Sequence, residues 1–366
     1  MPAPADVSRA FWNIQRQTRK NTQKTPKHQN TITTFSIATP VASPMASSKK
    51  KRKPSSSLLS RRQTAAAAVS KPLPSKLSRK LIRSHHTAQK RLSQAIQQND
   101  STAITTLTTQ LTTSGGLAAY QRASVSGQSS QRGGDSSRIL TDWFTSLGIP
   151  KPKDAASSSS SNSPLSAFRL LEIGCLSPAN AIHSYFPAPR RTLLDLNSLH
   201  PEILKQDFMS FPVPASAESG YDIISCSLVL NYVPTPAGRG DMLKHISRFM
   251  EQGLARRELR LQKPRATNKL HKEELKPVSS DDDWDEWFPA LFFVLPAPCV
   301  TNSRYLTGDK LEEIMASMGY EEVRKKVSPK LVYYLYRYHG NGTGGKFKKV
   351  ELLPGGKRNN FAIVVE

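Results

Sequence analysis

The chain has 366 residues and a formal net charge of +24 at pH 7, which is long enough for more than one domain. Its three cysteines are far apart and form no CxxC pair, which argues against a disulfide framework or a zinc site. No apolar run approaches the roughly 18 residues of a membrane-spanning helix, and the amino terminus lacks the apolar core of a secretory signal. These features predict an intracellular protein with no membrane span and no metal.

Positive charge is concentrated in the first quarter of the chain. Residues 1–90 contain nineteen Lys and Arg and one acid, a net charge of +18, which leaves +6 for the remaining 276 residues. So one-sided an excess favours a polyanionic partner, nucleic acid before membrane, although a solubilising tail would also account for it. The run KKKRKP, Lys49–Pro54, fits either a nuclear localisation signal or a non-specific phosphate-binding patch.

Composition divides the chain into four parts. Residues 1–75 are rich in Ser, Thr, Pro, Ala and Lys and predict a disordered basic arm. Residues 76–149 predict a helical region, and residues 150–164 a low-complexity linker. Residues 165–366 alternate short apolar runs with amphipathic stretches, interrupted by a polar insertion over 254–285.

The helical region begins with KLSRKLIRSHHTAQKRLSQAIQQ, in which Leu and Ile recur about every four residues between cations. A basic amphipathic helix of this kind can lie on an RNA backbone or dock on its own domain. His85 and His86 have no third ligand at a suitable spacing and are interpreted as polar helix residues. Gly115 and Gly116 are expected to break the helix, and residues 135–137 to cap a last short one.

The remainder of the chain has the pattern of an α/β sheet, parallel at least in its centre. The predicted strands are FRLLEIG, RRTLLDLN, part of YDIISCSLVLNYVP, ALFFVLPAPCV, and two closing strands, KLVYYLYRY and NFAIVVE. The predicted helices are PANAIHSYF, GRGDMLKHISRFM and GDKLEEIMASMGY.

A glycine and three acids follow these strands in a definite order. Ligands of doubly wound sheets bind at the carboxyl ends of the strands, where the first turn needs a glycine for close backbone approach. Glu172 and Gly174 form that turn, Asp195 ends the second strand 21 residues after Gly174, and Asp207 follows the next short element. Each residue alone can be an ordinary turn glycine or strand-end cap, but the order of the four residues is the layout of an S-adenosylmethionine site. The missing further glycines of a dinucleotide fingerprint argue against a pyrophosphate cofactor.

The blocks GGLAAYQRASVSGQ and LPAPCVTNSRY, together with LLEIGCLSPANAI, carry a family resemblance. From about residue 114 to the end, the chain resembles the fungal base methyltransferases of 25S ribosomal RNA that make N1-methyladenine. The resemblance implies a class I S-adenosylmethionine-dependent methyltransferase with a Rossmann-like α/β sheet and a basic N-terminal helical extension. It also implies large-subunit ribosomal RNA in the pre-ribosome as partner, and the nucleolus of the nucleus as location. By motif match, Gly174 and Asp195 would be the cofactor contacts, with Glu172 and Asp207 completing the set.

Asn231 and Tyr232 follow the third strand and are the candidates for holding the target base. N1 of a neutral adenine has a lone pair that can attack a methyl sulfonium without a strong general base, so positioning carries most of the rate. N1 lies on the Watson–Crick edge, so the base must be unpaired or flipped out. Asn231 is predicted to hydrogen-bond this edge and Tyr232 to stack on the ring. Equally, Asn231 can be a turn residue and Tyr232 a core aromatic.

Two other functions are compatible with the sequence. A non-catalytic S-adenosylmethionine-binding sensor or interaction protein would keep the cofactor site, but it would not need the basic arm. A methyltransferase of proteins or small molecules would be indifferent to salt, whereas RNA binding weakens steeply as salt rises. The choice of N1 over N6 of adenine depends on the resemblance alone.

Overall fold

The computed structural model of the chain describes residues 74–127, 134–151, 167–198, 200–262 and 283–366. All of them belong to one unit that spans residues 73–366. Several predicted segments lie outside the described residues: the KKKRKP run, nearly all of the predicted arm, most of the predicted linker and residues 263–282 of the predicted polar insertion. Among the helices of the described ranges, none combines the length and the apolar character that crossing a membrane requires.

In the described residues before the first strand, the chain forms four helices: α1 (Ser75–Gln97), α2 (Ser101–Thr113), α3 (Gly116–Gly127) and α4 (Ser137–Ser146). The carboxylate of Asp100 accepts a hydrogen bond from the Ala103 backbone N–H at 2.9 Å and so caps the start of α2. The paired glycines separate α2 from α3, so the chain resumes as a helix where only a break was expected.

Seven strands form one sheet: β1 (Leu170–Ile173), β2 (Arg191–Asp195), β3 (Leu204–Lys205), β4 (Ile223–Ser227), β5 (Ala290–Pro296), β6 (Tyr320–Val327) and β7 (Leu331–Tyr338). Their order in the sheet is β3-β2-β1-β4-β5-β7-β6. The first five strands in this order are parallel, and β7 is antiparallel to both of its neighbours. The prediction of an α/β sheet with a parallel centre is therefore confirmed.

Three helices lie in the ranges 200–262 and 283–366: α5 (Pro236–Gln262), α6 (Pro298–Thr301) and α7 (Gly308–Ser317). Helix α5 continues well past residue 254, where the polar insertion was predicted to begin. The reason is the buried carboxylate of Asp222, which lies just before β4 and is 0% exposed. It is paired with the guanidinium groups of Arg256 and Arg260 in the last turns of α5.

Alternate residues of the strands face opposite sides of the sheet, and both sides are buried. One side packs Leu171 and Ile173 of β1 into a cluster with the apolar stripe of α5, which includes Ile246 and Phe249. The other side packs Leu170 with the apolar residues of α4. Helix α4 is therefore a layer of the sheet domain, although its residues fall in the predicted helical region.

Three local expectations differ from the structure. The segment PANAIHSYF forms only a 3₁₀ turn, Ala181–Ser184, because its polar side chains bond back to β1. The segment NFAIVVE forms no strand and contributes the isolated bridge Phe347↔Val365. Strand β6 was not expected, because an exposed edge strand with the sequence YEEVRKKV lacks an apolar run.

Candidate active site

The register of the sheet places the predicted turn and the predicted strand-end acid side by side. Ile173 of β1 pairs with Leu194 of β2 and with Cys226 of β4. The next residues, Gly174 and Asp195, therefore lie next to each other at the carboxyl edge. The sheet order reverses between β1 and β4, and this reversal is the position where doubly wound sheets bind ligands.

Gly174 has two separate reasons to be glycine. Its φ of +75° is in the left-handed region that side chains rarely adopt. In addition, a Cβ at this position would lie 2.4 Å from Cγ2 of Val229, in the loop that follows β4. The first turn and the β4 loop are therefore packed against each other at the backbone of Gly174.

Glu172 lies beneath this turn, where it anchors the following loop. One carboxylate oxygen accepts a hydrogen bond from Nδ2 of Asn180 at 2.6 Å, and the other is 2.6 Å from Nε2 of His183. A carboxylate oxygen of Glu172, Sγ of Cys175 and a ring nitrogen of His183 lie within 4.8 Å of one another, a spacing that would also suit a metal. However, the carboxylate is already hydrogen-bonded, and burial raises the pKa of the Cys175 thiol, so it stays a poorly ligating thiol. Direct contact of Glu172 with a cofactor stays a prediction.

Asp135 fastens α4 to the same loop. Its carboxylate accepts hydrogen bonds from the backbone N–H of Ser137 at 2.9 Å and from that of Ala181 at 2.6 Å. Beside it, the hydroxyls of Ser136 and Ser227 lie 2.8 Å apart and join α4 to the end of β4. The sequence indicated a helix cap here, but it gave no sign that the cap also holds the loop after Gly174.

Asp195 and Asp207 lie at the carboxyl ends of the adjacent strands β2 and β3. Oδ1 of Asp195 accepts a hydrogen bond from the Asn197 N–H at 2.8 Å, and Oδ1 of Asp207 accepts one from the Met209 N–H at 3.0 Å. Burial raises the pKa of both carboxyl groups. Both carboxylates cap the turns that follow their strands, and their cofactor contacts stay predictions.

The loop after β4 is strained and polar. Leu228 has a φ of +57°, which is costly for a side chain of this size and is typical of functional loops. Asn231 and Tyr232 follow in a short 3₁₀ turn, Leu230–Tyr232. Oδ1 of Asn231 is buried, and the described residues give it no hydrogen-bond partner. A buried acceptor left open in this way suits a ligand that donates a hydrogen bond.

Helices α1 and α3 cover this loop with an aromatic cluster. The His86 ring stacks on Tyr232 with the ring centroids 4.0 Å apart, and His85 stacks on Tyr120 at 4.7 Å. Tyr120 in turn meets the edge of Tyr232 at 6.2 Å. His85 and His86 are helix residues, as predicted, but the sequence did not indicate that their rings pack into this cluster. Tyr120 was missed because Gly115 and Gly116 were expected to end the helix before it.

Burial sets the charge state of this cluster. It lowers the pKa of His86 to about 3, with the nearby His85 and Lys90 acting in the same direction, so the ring is neutral at physiological pH. Burial also raises the pKa of Tyr120 and of Tyr232, so both phenols stay protonated. The cluster therefore consists of neutral rings and protonated hydroxyl groups.

Two cations border the same loop. Burial lowers the pKa of Lys90, and the neighbouring Arg239 lowers it further. Arg239 is only 3% exposed, and burial lowers its pKa to about 10. Its guanidinium donates to the carbonyl oxygens of Val233 at 3.0 Å and Ala362 at 2.6 Å. Within the described ranges, neither cation has a carboxylate at ion-pair distance, so this side of the site is positive.

The fold and the site together define a class of protein. The strand order is 3-2-1-4-5-7-6, and strand 7 is antiparallel to its neighbours. A single glycine turn follows β1, and an Asn-Tyr pair follows β4. These features are typical of a Rossmann-like methyltransferase.

Comparison with known proteins identifies the family within this class. Residues 105–363 match the family described as 25S rRNA (adenine(2142)-N(1))-methyltransferase, Bmt2, and the chain belongs to this family. A Schizosaccharomyces pombe protein named 25S rRNA adenine-N(1) methyltransferase is 34% identical over 256 residues, covering 68% of this chain and 76% of that protein. A Saccharomyces cerevisiae protein named 25S rRNA (adenine(2142)-N(1))-methyltransferase is 31% identical over 253 residues, covering 69% of this chain and 60% of that protein.

Proposed function

We propose that this chain transfers the methyl group of S-adenosylmethionine to N1 of an adenine in the 25S RNA of the large ribosomal subunit. The names of the two yeast relatives support the reaction and the substrate. The observation that carries the proposal is the position of Asn231 and Tyr232, in a loop packed against the glycine turn through Val229. The net charge of the amino-terminal arm and the KKKRKP run support a nucleolar location within the nucleus.

The residues at the sheet edge fit the proposed cofactor. When bound, S-adenosylmethionine supplies an electrophilic methyl group on a positively charged sulfur. Gly174 allows the sharp turn after β1 that would border the cofactor, and the adjacent Asp195 would accept hydrogen bonds from ribose hydroxyls. Asp207 follows the next strand outward, on the side where an adenine ring would extend. Glu172 holds the loop that would border the cofactor.

The β4 loop would hold and orient the target base. Oδ1 of Asn231 would accept a hydrogen bond from the N6 amino group of adenine, which leaves the N1 lone pair free to attack. Tyr232 would stack on the ring. Because His86 covers one face of Tyr232, the base must use the other face or displace His86. No general base is required, since neutral N1 already carries its lone pair.

Methyl transfer to an RNA fragment tests the proposed reaction. The purified chain, supplied with S-adenosylmethionine and a 25S RNA fragment, is expected to produce a base that stops reverse transcriptase, because a methyl group on N1 blocks Watson–Crick pairing. Methylation without a stop would indicate N6 instead. Cofactor binding without any transfer would indicate the sensor, and labelling of protein but not RNA would indicate a different substrate class.

The Asn231 side chain can be tested by two substitutions. Asn231→Ala is expected to lower the rate of methyl transfer about 100-fold, because a misplaced base loses the attack geometry. Asn231→Asp keeps the acceptor oxygen and is expected to retain more activity than the alanine variant. Single-turnover rates at saturating cofactor measure both effects. Full activity of Asn231→Ala would remove the proposed role, and equal loss in both variants would assign the role to the Asn231 N–H donors.

A further inference from the structure

A groove of about 600 Å³ lies along helix α1 and reaches Gln110 of α2. Five cations of α1 line it, and we call it the cationic groove: Lys76, Arg79, Lys80, Arg83 and Arg91. Their spacing of three, four and eight residues places them on one side of the helix. The line from the first to the last is about 22 Å long at the rise of an α-helix.

The opposite side of α1 is buried, so the orientation of the helix is fixed. Ser78, His85 and Leu92 are 3%, 6% and 5% exposed, whereas all five groove cations are exposed. The amphipathic helix therefore docks on its own domain and still presents its cations to solvent. The sequence left two alternatives for this helix, lying on an RNA backbone or docking on its own domain. The structure shows that the docked helix keeps its cations exposed, so docking does not exclude RNA binding.

The groove has the electrostatic character of a polyanion site. Residues 74–127 contain a single acid, Asp100, whose carboxylate is used as the cap of α2. In the part of the chain that the structure describes, no carboxylate pairs with Lys80, Arg83 or Arg91. The remaining lining side chains are small or polar, so the groove lacks the large apolar groups that would insert into a membrane.

Helix α1 also reaches the candidate active site. His86, three residues after Arg83, stacks on Tyr232 where the target base is expected. Residues three apart are neighbours on a helix surface, so a strand bound at Arg83 would lie beside the residue that contacts the β4 loop. A single rigid helix thus relates the surface that attracts phosphates to the loop that would hold the base.

We propose that the cationic groove binds the phosphate backbone of the RNA strand that carries the target adenine. This inference rests on the proposed function, because the choice of RNA over an acidic protein depends on the substrate of the β4 loop. Phosphate contacts fix the position and register of a strand without reading its sequence. The groove would accordingly deliver the strand, and Asn231 and Tyr232 would select the base.

The test compares two triple variants of the full chain that lower the net charge equally. The groove variant is Lys80→Gln, Arg83→Gln and Arg91→Gln. The control is Lys326→Gln, Lys330→Gln and Lys348→Gln, three exposed cations in and around the β6–β7 hairpin and the carboxyl-terminal segment. The probe is a labelled 12-nucleotide single-stranded RNA with one central adenine, titrated at several salt concentrations. Cofactor binding by calorimetry verifies that each variant is folded.

The groove variant is expected to bind the RNA at least tenfold more weakly than the control at 150 mM salt. The slope of log affinity against log salt should fall by about 2, because each lost phosphate contact removes about 0.7 for a single strand. Equal RNA affinity and slope in the two variants would overturn the groove assignment. Loss of binding to an oligoglutamate probe with RNA binding unchanged would also overturn it, in favour of an acidic protein. If the groove variant loses RNA affinity but the wild type makes no N1-methyladenine, the groove assignment is supported and the proposed reaction is contradicted.

Discussion

Replacing Gly174 with alanine is expected to weaken S-adenosylmethionine binding at least tenfold, about 1.4 kcal/mol. The backbone φ of +75° would cost a side chain about 1–2 kcal/mol, and the new Cβ would lie 2.4 Å from Cγ2 of Val229. Val229 must then shift, and it carries the β4 loop with it. Calorimetry measures the affinity, and the RNA assay should show a loss of at least the same size.

Two companion variants separate backbone strain from the steric clash. Gly148→Ala has the same kind of backbone, with φ of +71°, but its Cβ would meet nothing within 4 Å, so its cofactor affinity should change less than about twofold. In the double variant Gly174→Ala with Val229→Ala, the nearest remaining Val229 atom is Cβ at 3.8 Å, an ordinary contact. This double variant should recover part of the affinity. Normal binding by Gly174→Ala would mean that the turn does not contact the cofactor.

Replacing Asp222 with asparagine is expected to destabilise the sheet domain by about 3–5 kcal/mol. The carboxylate is fully buried, accepts the backbone N–H of Arg169 at 2.7 Å and pairs with Arg256 and Arg260. Asparagine leaves the partly buried guanidinium of Arg256 without its counter-charge and leaves Arg260 with Asp285 alone. Urea denaturation followed by tryptophan fluorescence measures the effect, since Trp284 lies in the core nearby.

A matched substitution in the same network serves as the control. Asp285 pairs with Arg257 and Arg260, but its side chain is 21% exposed, so Asp285→Asn should cost about 1 kcal/mol or less. Neither variant should alter the cofactor affinity of the folded protein, because Asp222 lies at the amino end of β4 and the candidate site at the carboxyl end. Equal destabilisation by the two variants would show that burial of Asp222 is not the cause.

The centre of the fold was predictable from the sequence, whereas its edges were not. Strands β1, β4 and β5 are buried on both faces, so they appear as continuous apolar runs that periodicity can detect. Strand β6 lies at the sheet edge and carries runs of charged residues between its few apolar ones, so it gives no such signal. The final segment, NFAIVVE, is apolar because it packs against the cluster on the α5 side, and this burial was taken for strand character.

Site residues at strand ends could be predicted from the sequence, whereas those that come from helices could not. Gly174, Asp195 and Asn231 were predicted as site residues because each ends or follows a strand. Parallel strands bring their carboxyl ends to one edge of the sheet. His86, Tyr120 and Arg239 were missed because they come from helices whose packing on that edge has no signature in local sequence. The stack of His86 on Tyr232 joins residues 146 positions apart in the chain, and no spacing motif describes it.

The cations beside the β4 loop, Lys90 and Arg239, would affect the release of the methylated product. Methylation of N1 converts a neutral adenine into a positively charged ring, because the lone pair becomes a bond and no proton leaves with it. Lys90 and Arg239, which have no carboxylate partner in the described ranges, would then lie next to a third positive charge. Like charges at close range raise the free energy of the bound product and leave that of the neutral substrate base almost unchanged. The methylated nucleotide would therefore be held less tightly than the unmodified one, which favours its release and the next turnover.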